Sequence, residues 1–99
     1  QEKNPSPIEN VKWVTGEPEN VLKELEDLGY KSALLGGGCY LNTLFLEKKL
    51  IAEIILTIEP KIFGDGLGLF GNDFNINLKL MELKKINENS IMIKYKIEY

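Results

Sequence analysis

Apolar and polar positions change their period several times along the chain, and each change marks a predicted element. Residues 1–10, QEKNPSPIEN, are polar with two prolines and read as a lead-in or linker ahead of a domain over 11–99. VKWV (11–14) is a short strand candidate, ended by the turn residues Thr15 and Gly16. Pro18 suits the first position of a helix and Glu19 its first turn. Val21, Leu22, Leu25 and Leu28 then share one helical stripe, and Gly29 supplies the stop. SALL (32–35) reads as a short apolar strand that runs into Gly36, Gly37 and Gly38. Beyond the glycines, Leu41, Leu44, Phe45 and Leu46 give a second helix its apolar face, and Lys48 and Lys49 complement its C-terminal dipole.

EIILTIEP (53–60) is almost continuously apolar and β-branched, as expected of a central strand covered on both faces. KIFGDGLGLFGND (61–73) is a glycine-rich loop. FNINLKL (74–80) alternates, with Phe74, Ile76, Leu78 and Leu80 on one face; Met81 and Leu83 then shift the phase, which predicts a bulge. NENS (87–90) is a turn, and IMIKYKIEY (91–99) alternates through Ile91, Ile93, Tyr95, Ile97 and Tyr99. The order of elements predicts an α/β fold with a mixed sheet: a parallel βαβαβ unit over 11–58, followed by a C-terminal antiparallel hairpin.

Composition narrows the chemistry. With 99 residues and 43% apolar content, the chain is one domain or part of one. No apolar run approaches the roughly 18 residues of a membrane span, and no signal peptide is visible. The single cysteine rules out an internal disulfide and fits a reducing cytoplasm. All 12 basic residues are lysines, with no arginine and no histidine. Bidentate phosphate clamps, histidine acid–base chemistry and histidine metal ligation are therefore excluded within this chain. The net charge of −3 argues against a nucleic-acid partner. The start at Gln1 rather than methionine points to a processed chain or a piece of a longer one.

The triplet Gly36-Gly37-Gly38 asks for an explanation, because each glycine in regular structure costs about 0.5–1 kcal/mol relative to alanine. Two readings fit: a tight turn, or an anion site in which backbone N–H groups at a helix N-terminus meet a phosphate that side chains would block. The pattern is not a Walker loop, for no Lys-Ser/Thr pair closes it, and it matches only the start of a dinucleotide fingerprint, with Leu41 at the third glycine position.

The wider stretch LLGGGCYLNTLFLEKKLIAEIILTIEPKIFGDGLGLF resembles the C-terminal half of the dihydrofolate-reductase-like fold, in the branch that holds the riboflavin-biosynthesis reductases. The resemblance is carried by the apolar strand, the glycine triplet, Leu41, Phe45-Leu46, Glu53, Ile58-Glu59-Pro60, Gly64-x-Gly66 and Leu69-Phe70, and it extends over most of the chain. It implies an NADPH-dependent oxidoreductase at the family level, acting on a pterin- or pyrimidine-type small molecule of the folate or riboflavin pathway. It also implies that Gly36, Gly37 and Gly38, with the backbone of Cys39 and Tyr40, hold the cofactor pyrophosphate. Leu35 and Ala52 stand where many members of that branch carry acidic residues. The family's first half, with most of the substrate pocket and the contacts to the ribose phosphate, has no counterpart here, so the chain alone is expected to be incomplete for catalysis. The alternative is a non-catalytic nucleotide-binding or self-assembly module on the same half-fold. Either way, exposed strand edges and the face of Tyr95, Ile97 and Tyr99 predict a homo-oligomer.

Other candidates have plain structural readings. Cys39 at a helix N-terminus could favour thiolate, but no histidine is present to serve as its base. Glu53 and Glu59 stand about 20 Å apart along a strand, too far for a cooperating acid pair. Asp65 and Asp73 flank a loop whose glycines suit a wide connection anchored by Leu69 and Phe70. Trp13 and Tyr40 could stack on a cofactor ring or pack as rim residues, and Lys12 and Lys31 could assist a phosphate or merely be solvated.

Overall fold

The computed structural model describes residue 11 and residues 14–99, in two compact units divided between Leu35 and Gly36. In the first unit, helix α1 spans Pro18–Asp27, with proline opening it and Glu19 in the first turn. Val21, Leu22 and Leu25 are half-buried, while Leu28 just beyond the helix is exposed. The helix ends in a Schellman motif: Gly29 N–H donates to the Glu26 carbonyl at 2.9 Å and Tyr30 N–H to the Leu25 carbonyl at 3.2 Å. Gly29 takes φ 98°, which only glycine adopts without strain.

The second unit holds helix α2, Cys39–Glu47, and strands β1, Glu53–Ile58, β2, Asn77–Lys85, and β3, Ile91–Glu98. The sheet order is β1-β3-β2, and both pairs are antiparallel. The C-terminal hairpin is as expected from the sequence; the parallel unit is not what forms among the described residues. SALL (32–35) is irregular, with Leu34 88% exposed, because so short an apolar segment makes a strand only where a neighbouring strand pairs with it. Of the strand expected over 11–14, positions 12 and 13 lie outside the described residues, and Val11 and Val14 are in irregular chain.

β1 also corrects the expectation of a central, doubly covered strand: it is an edge of this sheet, with Ile55 and Ile58 exposed. Its apolar character on both faces is legible as strand, but nothing among the described residues covers both faces. One sheet face carries Ile54 and Leu56 of β1, Ile91, Ile93, Tyr95 and Ile97 of β3, and Leu78, Leu80 and Leu83 of β2. Leu83 rejoins that face because the register slips between Leu80 and Glu82, so Met81 is the extra residue of the predicted bulge. The opposite face is mostly polar, though it also carries Ile55 and Met92, and Lys94 stands 3.5 Å from Glu53 on it.

Among the described residues, Phe45, Leu46 and Ile97 are the buried hydrophobic core. Two polar ties fix the ends of the sheet. Asn87 Oδ1 accepts from the N–H groups of Asn89 and Ser90, both at 3.0 Å, and shapes the β2–β3 turn. The Tyr99 hydroxyl donates to the Ile51 carbonyl at 2.7 Å and accepts from the Ile51 N–H at 3.1 Å, joining the chain end to the approach to β1.

Candidate nucleotide-binding site

The glycine triplet leads straight into α2. Gly38 is the N-cap, extended at φ −84° and ψ −173°, and as glycine it offers no capping side chain. The first rung of the helix is Asn42 N–H to the Gly38 carbonyl at 2.9 Å. The N–H groups of Gly38, Cys39, Tyr40 and Leu41 therefore stand outside the i→i−4 ladder, at the positive end of the dipole. No acidic side chain occupies this first turn. A phosphate oxygen is the complement to such an end.

The three glycines do different things. A Cβ on Gly36 or Gly38 would meet nothing within 4 Å, so the space before the helix is open. A Cβ on Gly37 would lie 2.5 Å from Leu41 Cδ2 and 2.9 Å from Leu41 Cβ. Gly37 is thus required by the packing of Leu41, a reason independent of any ligand. Cys39 is half-buried, and Tyr40 is 78% exposed.

The second glycine-rich segment returns to this helix. Asn42 Nδ2 donates to the Leu69 carbonyl at 3.2 Å, and Gly71 N–H donates to Thr43 Oγ1 at 2.8 Å. Asn72 Nδ2 donates to Glu47 Oε2. Thr43 Oγ1 in turn donates to the Cys39 carbonyl at 2.7 Å, in the first turn of α2. A Cβ on Gly71 would stand 3.3 Å from Cys39 Sγ, tight enough that one of the two must give by a few tenths of an ångström. The anchor expected from the side chains of Leu69 and Phe70 is in part a backbone anchor instead: Leu69 is 45% exposed, while half-buried Phe70 packs edge-on against Phe74 at 6.2 Å.

Asn42 and Thr43 are the site residues that reading by apolar periodicity passes over. The signal was present: Cys39, Asn42, Thr43 and Leu46 recur at i, i+3, i+4 and i+7, so a polar pair sits within a helical stripe. Polar side chains at buried positions need partners, and here the partners are loop and first-turn backbone groups. The remaining candidates are structural or apart. Glu53 pairs with Lys94, Glu59 accepts from the Ser90 hydroxyl at 2.8 Å, and Asp65 accepts from Gly66 N–H at 2.8 Å. Asp73 and Lys31 are exposed, and Lys12 and Trp13 lie outside the described residues. Among the described residues no group of carboxylates and thiols forms a metal site, and no helix is long and apolar enough to cross a membrane.

The whole chain superimposes on part of a Shewanella sp. PV-4 protein named for riboflavin biosynthesis, with a TM-score of 0.82 at 22% identity. At that identity the likeness speaks for the fold. The chain spans 56% of that protein's length. The pattern of the RibD C-terminal domain matches residues 1–92. That match covers nearly the whole sequence, glycine triplet and second glycine-rich segment included, and the chain belongs to the RibD C-terminal domain family.

Proposed function

We propose that this chain is the cofactor-binding part of an NADPH-dependent reductase, cytoplasmic, acting on a pterin- or pyrimidine-type small molecule of the riboflavin pathway. The observation that carries the reading is the N-terminus of α2: four backbone N–H groups outside the helix ladder, a glycine cap, and no acidic side chain in the first turn. The residues fit the group, because a pyrophosphate needs close backbone donors and open space, and Gly36 and Gly38 leave that space. Bound NADPH would supply the hydride; Gly36, Gly38, Cys39 and Tyr40 would hold its pyrophosphate through their backbone. Most contacts to the reducible substrate are assigned to a part of the enzyme outside this chain, in keeping with its span of 56% of the Shewanella protein.

The test is Gly38→Asp in the native-length protein. Aspartate is a good N-cap, and its carboxylate would occupy the donors meant for the pyrophosphate. NADPH affinity should fall at least tenfold while the melting temperature holds or rises. Unchanged affinity would remove this helix end from the site.

A self-assembly role has its own observation. Leu78, Leu80 and Leu83 line one strand of the apolar sheet face with exposures of 42%, 54% and 62%. A homo-oligomer closing over that row would show as a dimer in sedimentation, broken by Leu80→Glu; a monodisperse monomer of the native-length protein would end this reading.

A further inference from the structure

Thr43 sits at a junction. Its hydroxyl accepts the Gly71 N–H at 2.8 Å and donates to the Cys39 carbonyl at 2.7 Å. The Cys39 carbonyl belongs to the same peptide unit as the Tyr40 N–H, one of the groups left outside the helix ladder. Hydrogen bonds in series polarise one another, so a donor on the carbonyl makes the N–H across that peptide a stronger donor in turn. The chain of bonds runs from the second glycine-rich segment, through one buried hydroxyl, to a donor of the proposed pyrophosphate site. Asn42 holds the same segment by the Leu69 carbonyl, and Gly71 has no Cβ to hold it off Cys39.

What this segment carries matters as much as where it is tied. Ahead of the tie, the loop presents Ile62 at 98%, Phe63 at 84% and Leu67 at 96% exposure. Large apolar side chains this bare do not stabilise the loop, so its order depends on the polar tie at Leu69–Asn72.

We propose that Thr43 is a positioning residue that links seating of the 61–71 loop to dinucleotide binding at the N-terminus of α2. The inference rests on the assignment of that helix end to a pyrophosphate. Linkage is reciprocal: a bound pyrophosphate drawing on the Tyr40 N–H strengthens the Thr43–Gly71 tie, and a seated loop strengthens the pyrophosphate site.

The experiment uses the native-length protein, NADPH as ligand and chymotrypsin as probe of the exposed Phe63. In the wild type, NADPH should slow cleavage after Phe63. Thr43→Val removes both hydrogen bonds at nearly constant volume; it should weaken NADPH binding about tenfold and abolish the protection, and Thr43→Ser, which keeps the hydroxyl, should restore both. Gly71→Ala, which leaves the hydroxyl in place and crowds Cys39, should act in the same direction as Thr43→Val. If the wild type binds NADPH but Thr43→Val binds it equally well, the linkage is refuted while the site stands. If the wild type does not bind NADPH, the site assignment fails and the linkage falls with it.

Discussion

The two helices of this chain begin in opposite ways. α1 opens with a proline that has no N–H to leave unsatisfied, and Glu19 places negative charge in its first turn. α2 opens with a glycine cap, has no proline, and has no acid in its first turn. One first turn has a proline and an acidic side chain built into it; the other has neither. The helix interiors differ in the same sense. Pro18 is the buried residue of α1, whereas α2 buries Asn42, Thr43, Phe45 and Leu46. By burial, α2 is the more firmly held of the two helices.

The contrast can be broken at its strongest point first. Phe45 is 8% exposed, so Phe45→Ala should cost about 3 kcal/mol through lost burial and a cavity. Leu25→Ala in α1, at a half-buried position, should cost clearly less in the same equilibrium urea titration. Equal losses would mean that the helices are anchored alike. A smaller effect sharpens the comparison of the ends. Gly38→Asp should add a few tenths of a kcal/mol of stability while NADPH affinity drops, so that the two properties move in opposite directions. Glu19→Gln in α1 should cost about 0.3–1 kcal/mol and leave NADPH affinity unchanged. Fluorescence titration with NADPH read beside the unfolding curves separates the cases; loss of affinity in both variants would sink the distinction.

Much of this arrangement was legible in the sequence, and the failures have one physical cause. Local signals came through: Pro18 and Gly29 bound α1, the phase slip at Met81 is a bulge, and the last two strands pair as a hairpin. These depend on φ preferences and alternation over a few residues. What failed were statements about neighbours. SALL and EIILTI have strand composition, yet whether an apolar segment pairs, and with what direction, depends on partners far along the chain. Asn42 and Thr43 were missed for a related reason, since their role exists only once Leu69 and Gly71 arrive beside them. In the sequence the glycine triplet is one undivided run, whereas the structure separates Gly37, which a Cβ would drive into Leu41, from Gly36 and Gly38.

The C-terminal ends complete the comparison and give its smallest test. Both helices close in a Schellman motif; in α2, Lys49 N–H donates to the Leu46 carbonyl at 2.9 Å and Leu50 N–H to the Phe45 carbonyl at 3.0 Å. α1 uses Gly29 at the left-handed position, but α2 uses Lys49, at φ 59°. A side chain there costs about 1–2 kcal/mol of steric strain. Glycine would remove it and restore about 0.5–1 kcal/mol of unfolded-state entropy cost, so Lys49→Gly should stabilise by about 0.5 kcal/mol. Lys49→Ala separates the causes, because it keeps the Cβ and removes the charge. If alanine stabilises as much as glycine, the strain is not at the Cβ and crowding with Lys48 is the better account. If only glycine does, the end of α2 carries a backbone conformation that α1 adopts without strain.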